Sequence, residues 1–403
     1  MISRIEALNY RCLRDVSQAV QPFQVLVGPN ASGKSTFLDV LSFLSKFVND
    51  DLEAAVRART QNFEDLVWGR SGTRFDLAIE ALIPPDLRVR AADGFDTIRY
   101  EVAAGLDAPS NAIAILAESV VLKGSNRDLL PPEPNGNNSN TLRIINKSIA
   151  GNASFHPEGD PLAAAVGGAF GLGPTRSALG YMPIDRAQYP ATTWLKDLLT
   201  EGVQRLELTN EALRKPSPPG QGRRLLADGA NLPWVVADLA EKAPDRFAAW
   251  IAHLQTALPD LQGIQVVTRY EDRSRYLLLQ YPDDLAVPSW MASDGTLRLL
   301  ALTVLAYLPD RTGTYLIEEP ETGIHPRAIE TIMHSLMGVY DALILVATQS
   351  PVILSVVPAA QVLVFARTPA GATDIVRGDQ HPALRDWQGE PNLGMLFAGG
   401  VLG

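Results

Sequence analysis

Gly28-Pro29-Asn30-Ala31-Ser32-Gly33-Lys34-Ser35-Thr36 decides how this chain is read. It has the spacing G-x-x-x-x-G-K-[ST]. The apolar run Phe23–Val27 before it reads as a buried strand, and residues 35–47 after it read as a helix. In a strand–loop–helix context the loop's N–H groups and the positive helix end converge on one point, which suits a phosphate group. The glycines let the backbone wrap close to phosphate oxygens. Lys34 can reach the β- and γ-oxygens, and the Ser35 hydroxyl can ligate Mg²⁺. A glycine-rich turn with a chance lysine is the alternative, and the flanking strand and helix argue against it.

Composition sets wide bounds. The 403 residues suffice for two or three domains or one elaborated domain. Apolar content of 46% and charged content of 20% are those of a globular protein. The single cysteine, Cys12, excludes an internal disulfide framework and suits a reducing, cytoplasmic location. No basic region followed by an apolar stretch opens the chain, so no signal peptide is expected. Residues 342–366 carry no charge and are long enough to suggest a membrane span. Thr348-Gln349-Ser350-Pro351 and Pro358 interrupt them, so they read as sheet core with no membrane partner. A net charge of −10 argues against a surface coated in positive charge for nucleic acid, although a local basic groove is compatible with it. The pairs Arg57/Arg59 and Arg223/Arg224 read as solvated surface.

Outward from the loop, residues 2–8 alternate as a first strand. Four β-like stretches follow at 75–82, 98–102, 113–122 and 142–145, separated by turn-rich segments such as 131–140. They predict an antiparallel sheet beside the loop and its helix. From about residue 161 the pattern turns helical, most clearly at 193–214 and 234–258, with a Pro/Gly connector at 215–222. Strands return at 264–269 and 276–281, and an α/β pattern runs from about Met291. The organisation expected is an N-terminal lobe 1–155, a helical insertion 156–260 and a C-terminal lobe 261–403. No internal repeat and no sustained heptad is present.

Far downstream, Thr314-Tyr315-Leu316-Ile317-Glu318-Glu319-Pro320 is an apolar strand ending in two carboxylates. Alternation along a strand predicts that the two acids point to opposite sides and take different tasks. Glu318 can hold Mg²⁺, and Glu319 can polarise the water that attacks a γ-phosphate. An acidic strand end at the surface is the plainer reading, disfavoured by the apolar run before it. Ser293-Asp294-Gly295-Thr296 opens an apolar helix over 297–308; Ser293 or Asp294 would cap it, and a cap alone would be unremarkable. Thr322-Gly323-Ile324-His325-Pro326 follows the acidic strand. A further strand, 342–347, leads into Thr348-Gln349-Ser350-Pro351.

The order of phosphate loop, long insertion, Ser-x-Gly helix start, Glu-Glu-Pro strand and polar residue after the next strand resembles the ABC-type ATPases of the RecF, SMC and OLD group. It is more similar to the compact bacterial RecF-like "AAA family ATPases" found in defence-related operons. Asn9-Tyr10-Arg11, Asp228-Gly229-Ala230-Asn231-Leu232 and Leu393-Gly394 belong to the resemblance. It implies an α/β fold, the ABC-type P-loop NTPase, with an antiparallel β subdomain and a helical insertion. It further implies ATP and Mg²⁺ bound by the loop 28–36, with Lys34 and Ser35 central. Glu318 becomes the magnesium acid, Glu319 the catalytic base, and Gln349 the switch residue sensing the γ-phosphate. Ser293 and Gly295 become the signature that reaches a second subunit's ATP, and Gln61 falls at the family's metal-contacting glutamine loop.

Three positions depart from the family pattern. Asp294 stands where transporters have glycine, Glu318 where aspartate is commoner, and Gln349 where most relatives have histidine. A glutamine donates a hydrogen bond but carries no charge, which predicts slow hydrolysis. The expected function is an ATP-hydrolysing dimerisation switch, a homodimer closing over two ATP molecules. The system expected is an antiphage or toxin–antitoxin ATPase sensor acting with a separate effector, a nuclease or toxin. About fifty residues follow Gln349, too few for an appended Toprim nuclease domain. The alternatives are a RecF-like ATPase with DNA as partner in repair, and an ATP-holding scaffold with little turnover.

Overall fold

The computed structural model describes residues 1–88, 94–124, 141–158, 170–183, 185–309, 312–382 and 393–400. The expected turn at 131–140 and the onset of helical pattern near residue 161 lie outside them. In chain order the strands are β1 (Ile2–Tyr10), β2 (Leu13–Ala19), β3 (Phe23–Val27), β4 (Arg74–Leu82), β5 (Thr97–Leu106), β6 (Ile113–Lys123), β7 (Thr141–Ser148), β8 (Asn152–Phe155) and β9 (Phe170–Gly171). They continue as β10 (Val203–Leu206), β11 (Gly263–Thr268), β12 (Arg275–Gln280), β13 (Ala286–Pro288), β14 (Gly313–Glu318), β15 (Ala342–Thr348), β16 (Val362–Arg367) and β17 (Thr373–Arg377). The chain divides into two units: residues 1–21, 30–203 and 365–375 form the first, and residues 22–29, 204–364 and 376–403 the second.

The first unit holds an eight-stranded sheet in the order β2-β1-β4-β5-β6-β7-β8-β9. Its paired strands are antiparallel. Alternation sorts the two faces of these strands, except that Asn9, at φ 57°, turns Tyr10 to the face opposite Glu6. One carries charges, with Arg99 on Glu6 (2.5 Å) and Glu80 (3.1 Å). On the other, Tyr10 and Phe75 pack against Phe43 of the helix Lys34–Asn49. That helix buries Phe37, Leu38, Leu41, Leu44 and Val48, the i, i+3, i+4 spacing of a core-facing stripe.

Residues 172–183 and 185–189 are not helical, contrary to the pattern expected after 161. Buried acids hold this segment. Glu118 accepts from Ser177 Oγ (2.6 Å), Ala178 N (2.7 Å), Leu179 N (3.1 Å) and Tyr100 Oη (2.9 Å). Glu158 accepts from Ala191 N (2.9 Å) and Thr192 N (2.7 Å), and so caps the helix Pro190–Asp197. Burial raises the Glu158 carboxyl above its ordinary range, against the pull of these donors.

Two long helices read from periodicity are broken. The stretch 193–214 is the end of the helix Pro190–Asp197, a π turn Leu198–Gly202, strand β10 and a short helix Asn210–Arg214. Gly202 ends the helical run, and β10 takes the sheet position beside β14. The stretch 234–258 is two helices, Leu232–Lys242 and Pro244–Ala257. Pro244 has no N–H for a continuous helix and instead starts the second one. The helix expected at 297–308 ends at Thr303 and tightens to a 3-10 turn, Val304–Tyr307.

A six-stranded sheet has the order β10-β14-β15-β3-β16-β17; its strands β14, β15 and β3 and the start of β16, all in the second unit, run parallel. The four parallel strands are near-continuous apolar runs, as strands covered on both faces require. Val25, Val27, Ile317, Ile344 and Val346 join Leu300, Ile329 and Trp250 in one core. The uncharged stretch 342–366 is β15, the helix Pro351–Val356 and the start of β16. Among the described residues no helix is long and apolar enough to cross a membrane. Strands β11, β12 and β13 form a separate antiparallel sheet, the third strand having escaped the reading from sequence.

Candidate nucleotide site

The loop leaves β3 and enters the helix Lys34–Asn49, as its spacing predicts. Gly28, Ala31 and Gly33 have φ of 152°, 62° and 106°. At Gly33 the left-handed backbone and close packing both demand glycine, because a Cβ there would lie 2.2 Å from Thr373 Oγ1. Within the first unit, Thr373 Oγ1 donates to Ser32 O (2.9 Å) and Thr373 N to Cys12 O (3.0 Å), pinning the loop from below. The helix's first turn then presents N–H groups and the positive dipole end at Lys34, Ser35 and Thr36. Lys34 is nearly buried, while Ser35 is exposed.

The same helix is tied to the segment carrying Gln61. Asp39 accepts from Tyr10 Oη (2.6 Å) and from Arg59 Nη2 (2.6 Å) and Nε (2.8 Å). Arg59 begins the connection that runs through Thr60, whose hydroxyl donates to Asp65 (2.7 Å). Gln61 itself is exposed on this turn.

In the second unit, parallel register brings the carboxyl ends of three strands side by side. Val27 pairs with Thr348, and Ala347 with Glu318. Gly28–Pro29, Glu318–Glu319 and Gln349 therefore emerge at one edge of the sheet, where ligands of open α/β sheets bind. Glu318 ends β14 as expected. Glu319 does not continue it: its φ is 45°, so simple strand alternation does not set its direction. Its N–H still donates to Ala347 O (2.8 Å), and the left-handed turn is the sort of strain found at functional sites. Gln349 Nε2 donates to Glu319 Oε1 (3.3 Å). Glu321 accepts from Thr348 Oγ1 (2.6 Å), fastening the start of the Gln349 turn. Arg205 Nη2 lies 2.6 Å from Glu318 Oε1.

Ser293 and Gly295 border a different cleft of the same unit, of about 500 Å³, with Leu299, Ile324, His325 and Arg327. Ser293 Oγ accepts from Thr296 N (3.1 Å) and caps the helix Asp294–Thr303. A Cβ on Gly295 would sit 2.7 Å from Gly323 O, so glycine lets this helix start meet the loop after β14. Asp294, the departure from the transporter pattern, is paired by Arg214 Nη2 (2.6 Å), whose Nη1 donates to Trp290 O (2.8 Å). Reading from sequence missed Arg205, Arg214, Glu321 and Thr373. Glu321 alone carried a local signal, as the third acid in Glu-Glu-Pro-Glu.

Magnesium, a hard cation, takes oxygen donors, and in the second unit the Glu318 carboxylate supplies one. The fold is the α/β fold of Smc head domains. Two solved structures share the fold. An Smc head bound to the C-winged helix domain of ScpA is 12% identical, with a TM-score of 0.54, covering 93% of this chain and 97% of that one. An Smc head domain with an extended coiled coil, bound to the C-terminal domain of ScpA from Pyrococcus furiosus, is 12% identical, with a TM-score of 0.52, covering 93% and 95%. A comparison with curated proteins gave no match. A family profile described as "AAA domain, putative AbiEii toxin, Type IV TA system" matches residues 130–355, and an AAA ATPase domain profile matches residues 1–147. The chain belongs to that first family of AAA domains.

Proposed function

We propose that the protein is an ATP-hydrolysing dimerisation switch. The observation that carries this reading is the shared sheet edge where Gly28–Pro29, Glu318–Glu319 and Gln349 emerge. Lys34 and the loop N–H groups would bind the β- and γ-phosphates, and Ser35 and Glu318 would supply oxygen to magnesium. When bound, the metal neutralises charge that builds on the phosphate oxygens. Glu319 accepts a proton from the attacking water, and Gln349, hydrogen-bonded to it, orients that carboxylate and senses the γ-phosphate. Ser293 and Gly295 offer a helix start to the phosphate held by a second copy. Gln61, exposed on its turn, would offer the metal a further oxygen.

The biological role that fits is the ATPase sensor of an antiphage or toxin–antitoxin system, with a separate effector protein. The family description supports it, and the ScpA-bound Smc heads support a non-identical partner. Glu319→Gln tests the switch. It should retain ATP, stop hydrolysis and accumulate as a dimer in analytical ultracentrifugation. A monomer under saturating ATP and magnesium would sink the dimer reading.

A further inference from the structure

Arg205 stands on β10, the strand next to β14 in the sheet. Its guanidinium is shared between two acids: Nη2 is 2.6 Å from Glu318 Oε1, and Nε is 3.1 Å from Glu207 Oε1. The first acid is the one assigned to magnesium. The second is exposed, with a side chain 69% accessible, and its backbone N–H is anchored on Ala227 O (2.8 Å). Reading from sequence used neither Arg205 nor Glu207, and the hydrolytic reaction needs neither.

Resting on the proposed nucleotide reading, we infer that Arg205 competes with magnesium for the Glu318 carboxylate and that Glu207 is its alternative seat. Two cations cannot share one carboxylate without repelling each other. When hydrated magnesium engages Glu318, repulsion weakens the guanidinium's hold on that carboxylate, and a half-exposed arginine already touching a second carboxylate shifts its weight onto Glu207. The pair thus sets a magnesium threshold for nucleotide binding. The threshold is modest, because partly exposed ion pairs are weak and change affinities by about two- to fivefold. Glu207 lowers it by receiving the displaced charge.

Magnesium titrations of a methylanthraniloyl-labelled ATP bound to the full chain, read by fluorescence, test this without requiring turnover. Arg205→Ala should lower the half-saturating magnesium by about two- to fivefold. Glu207→Gln, an exposed and conservative change, should raise it, since the guanidinium loses its second seat. The double variant should behave as Arg205→Ala. An unchanged or higher threshold in Arg205→Ala, or an unchanged or lower one in Glu207→Gln, would overturn the inference while leaving the nucleotide site in place. Absence of labelled-ATP binding by the wild type at any magnesium concentration would remove the nucleotide reading and this inference with it.

Discussion

Replacing Asp39 with alanine should destabilise the first unit by about 3–5 kcal/mol, the cost of leaving one member of a buried ion pair behind. Asp39 is 6% exposed, and its partner Arg59 has a side chain only 11% exposed. Three of the guanidinium's contacts end on this carboxylate. Without it, Arg59 keeps one hydrogen bond, from Nη1 to Ala55 O (2.8 Å), and its place 5.0 Å over the Phe43 ring. Tyr10 Oη also loses its acceptor. Neither remaining contact offsets a charge held out of water. The cost should therefore come mostly from Arg59, and Asp39→Ala/Arg59→Met should recover about 2 kcal/mol relative to Asp39→Ala by removing the stranded charge. Urea unfolding followed by circular dichroism, on both single variants and the double, gives the cycle. A loss below about 1 kcal/mol in Asp39→Ala, or singles that simply add in the double, would refute this account of the network.

Two further outcomes follow from close packing and from burial. Gly295→Ala places a Cβ 2.7 Å from the Gly323 carbonyl oxygen, so the start of the helix Asp294–Thr303 must shift. It should cost about 1–3 kcal/mol and weaken ATP-dependent dimerisation more than ATP binding, seen by comparing sedimentation with labelled-nucleotide titration. Lys147 is buried, and desolvation pulls its ammonium down to about 8 despite the nearby Glu118. Between pH 8 and the ordinary lysine value the unfolded chain then holds the proton more tightly, so stability should rise with pH across that window. The urea midpoint of Lys147→Met should lack this rise relative to the wild type.

The parts of the site that could be read in advance are local. The loop from Gly28 to Thr36 and the strand ending at Glu318 announce themselves by spacing, apolar runs and breakers, because their geometry is decided within about ten residues. β10 is the opposite case. Val203-Gln204-Arg205-Leu206 continues a helical pattern from Thr193, and only the presence of β14 beside it makes it a strand. The Arg205–Glu318, Arg214–Asp294 and Thr348–Glu321 contacts join segments far apart in the chain, and no window contains both partners. Glu118 had a visible signature, a lone acid within the apolar strand 113–122, yet nothing local says that it holds residues 177–179. Strand alternation does not reach Glu319, because the left-handed turn at φ 45° ends the strand one residue earlier than the Pro320 stop suggests.

Steady-state phosphate release from ATP tests the central claim most directly. The account predicts slow, magnesium-dependent release by the wild type and none by Lys34→Ala, whose loop loses the cation facing the β- and γ-phosphates. Equal release by the two proteins, or no release by the wild type while it holds ATP and magnesium, would contradict an ATP-hydrolysing site at this loop.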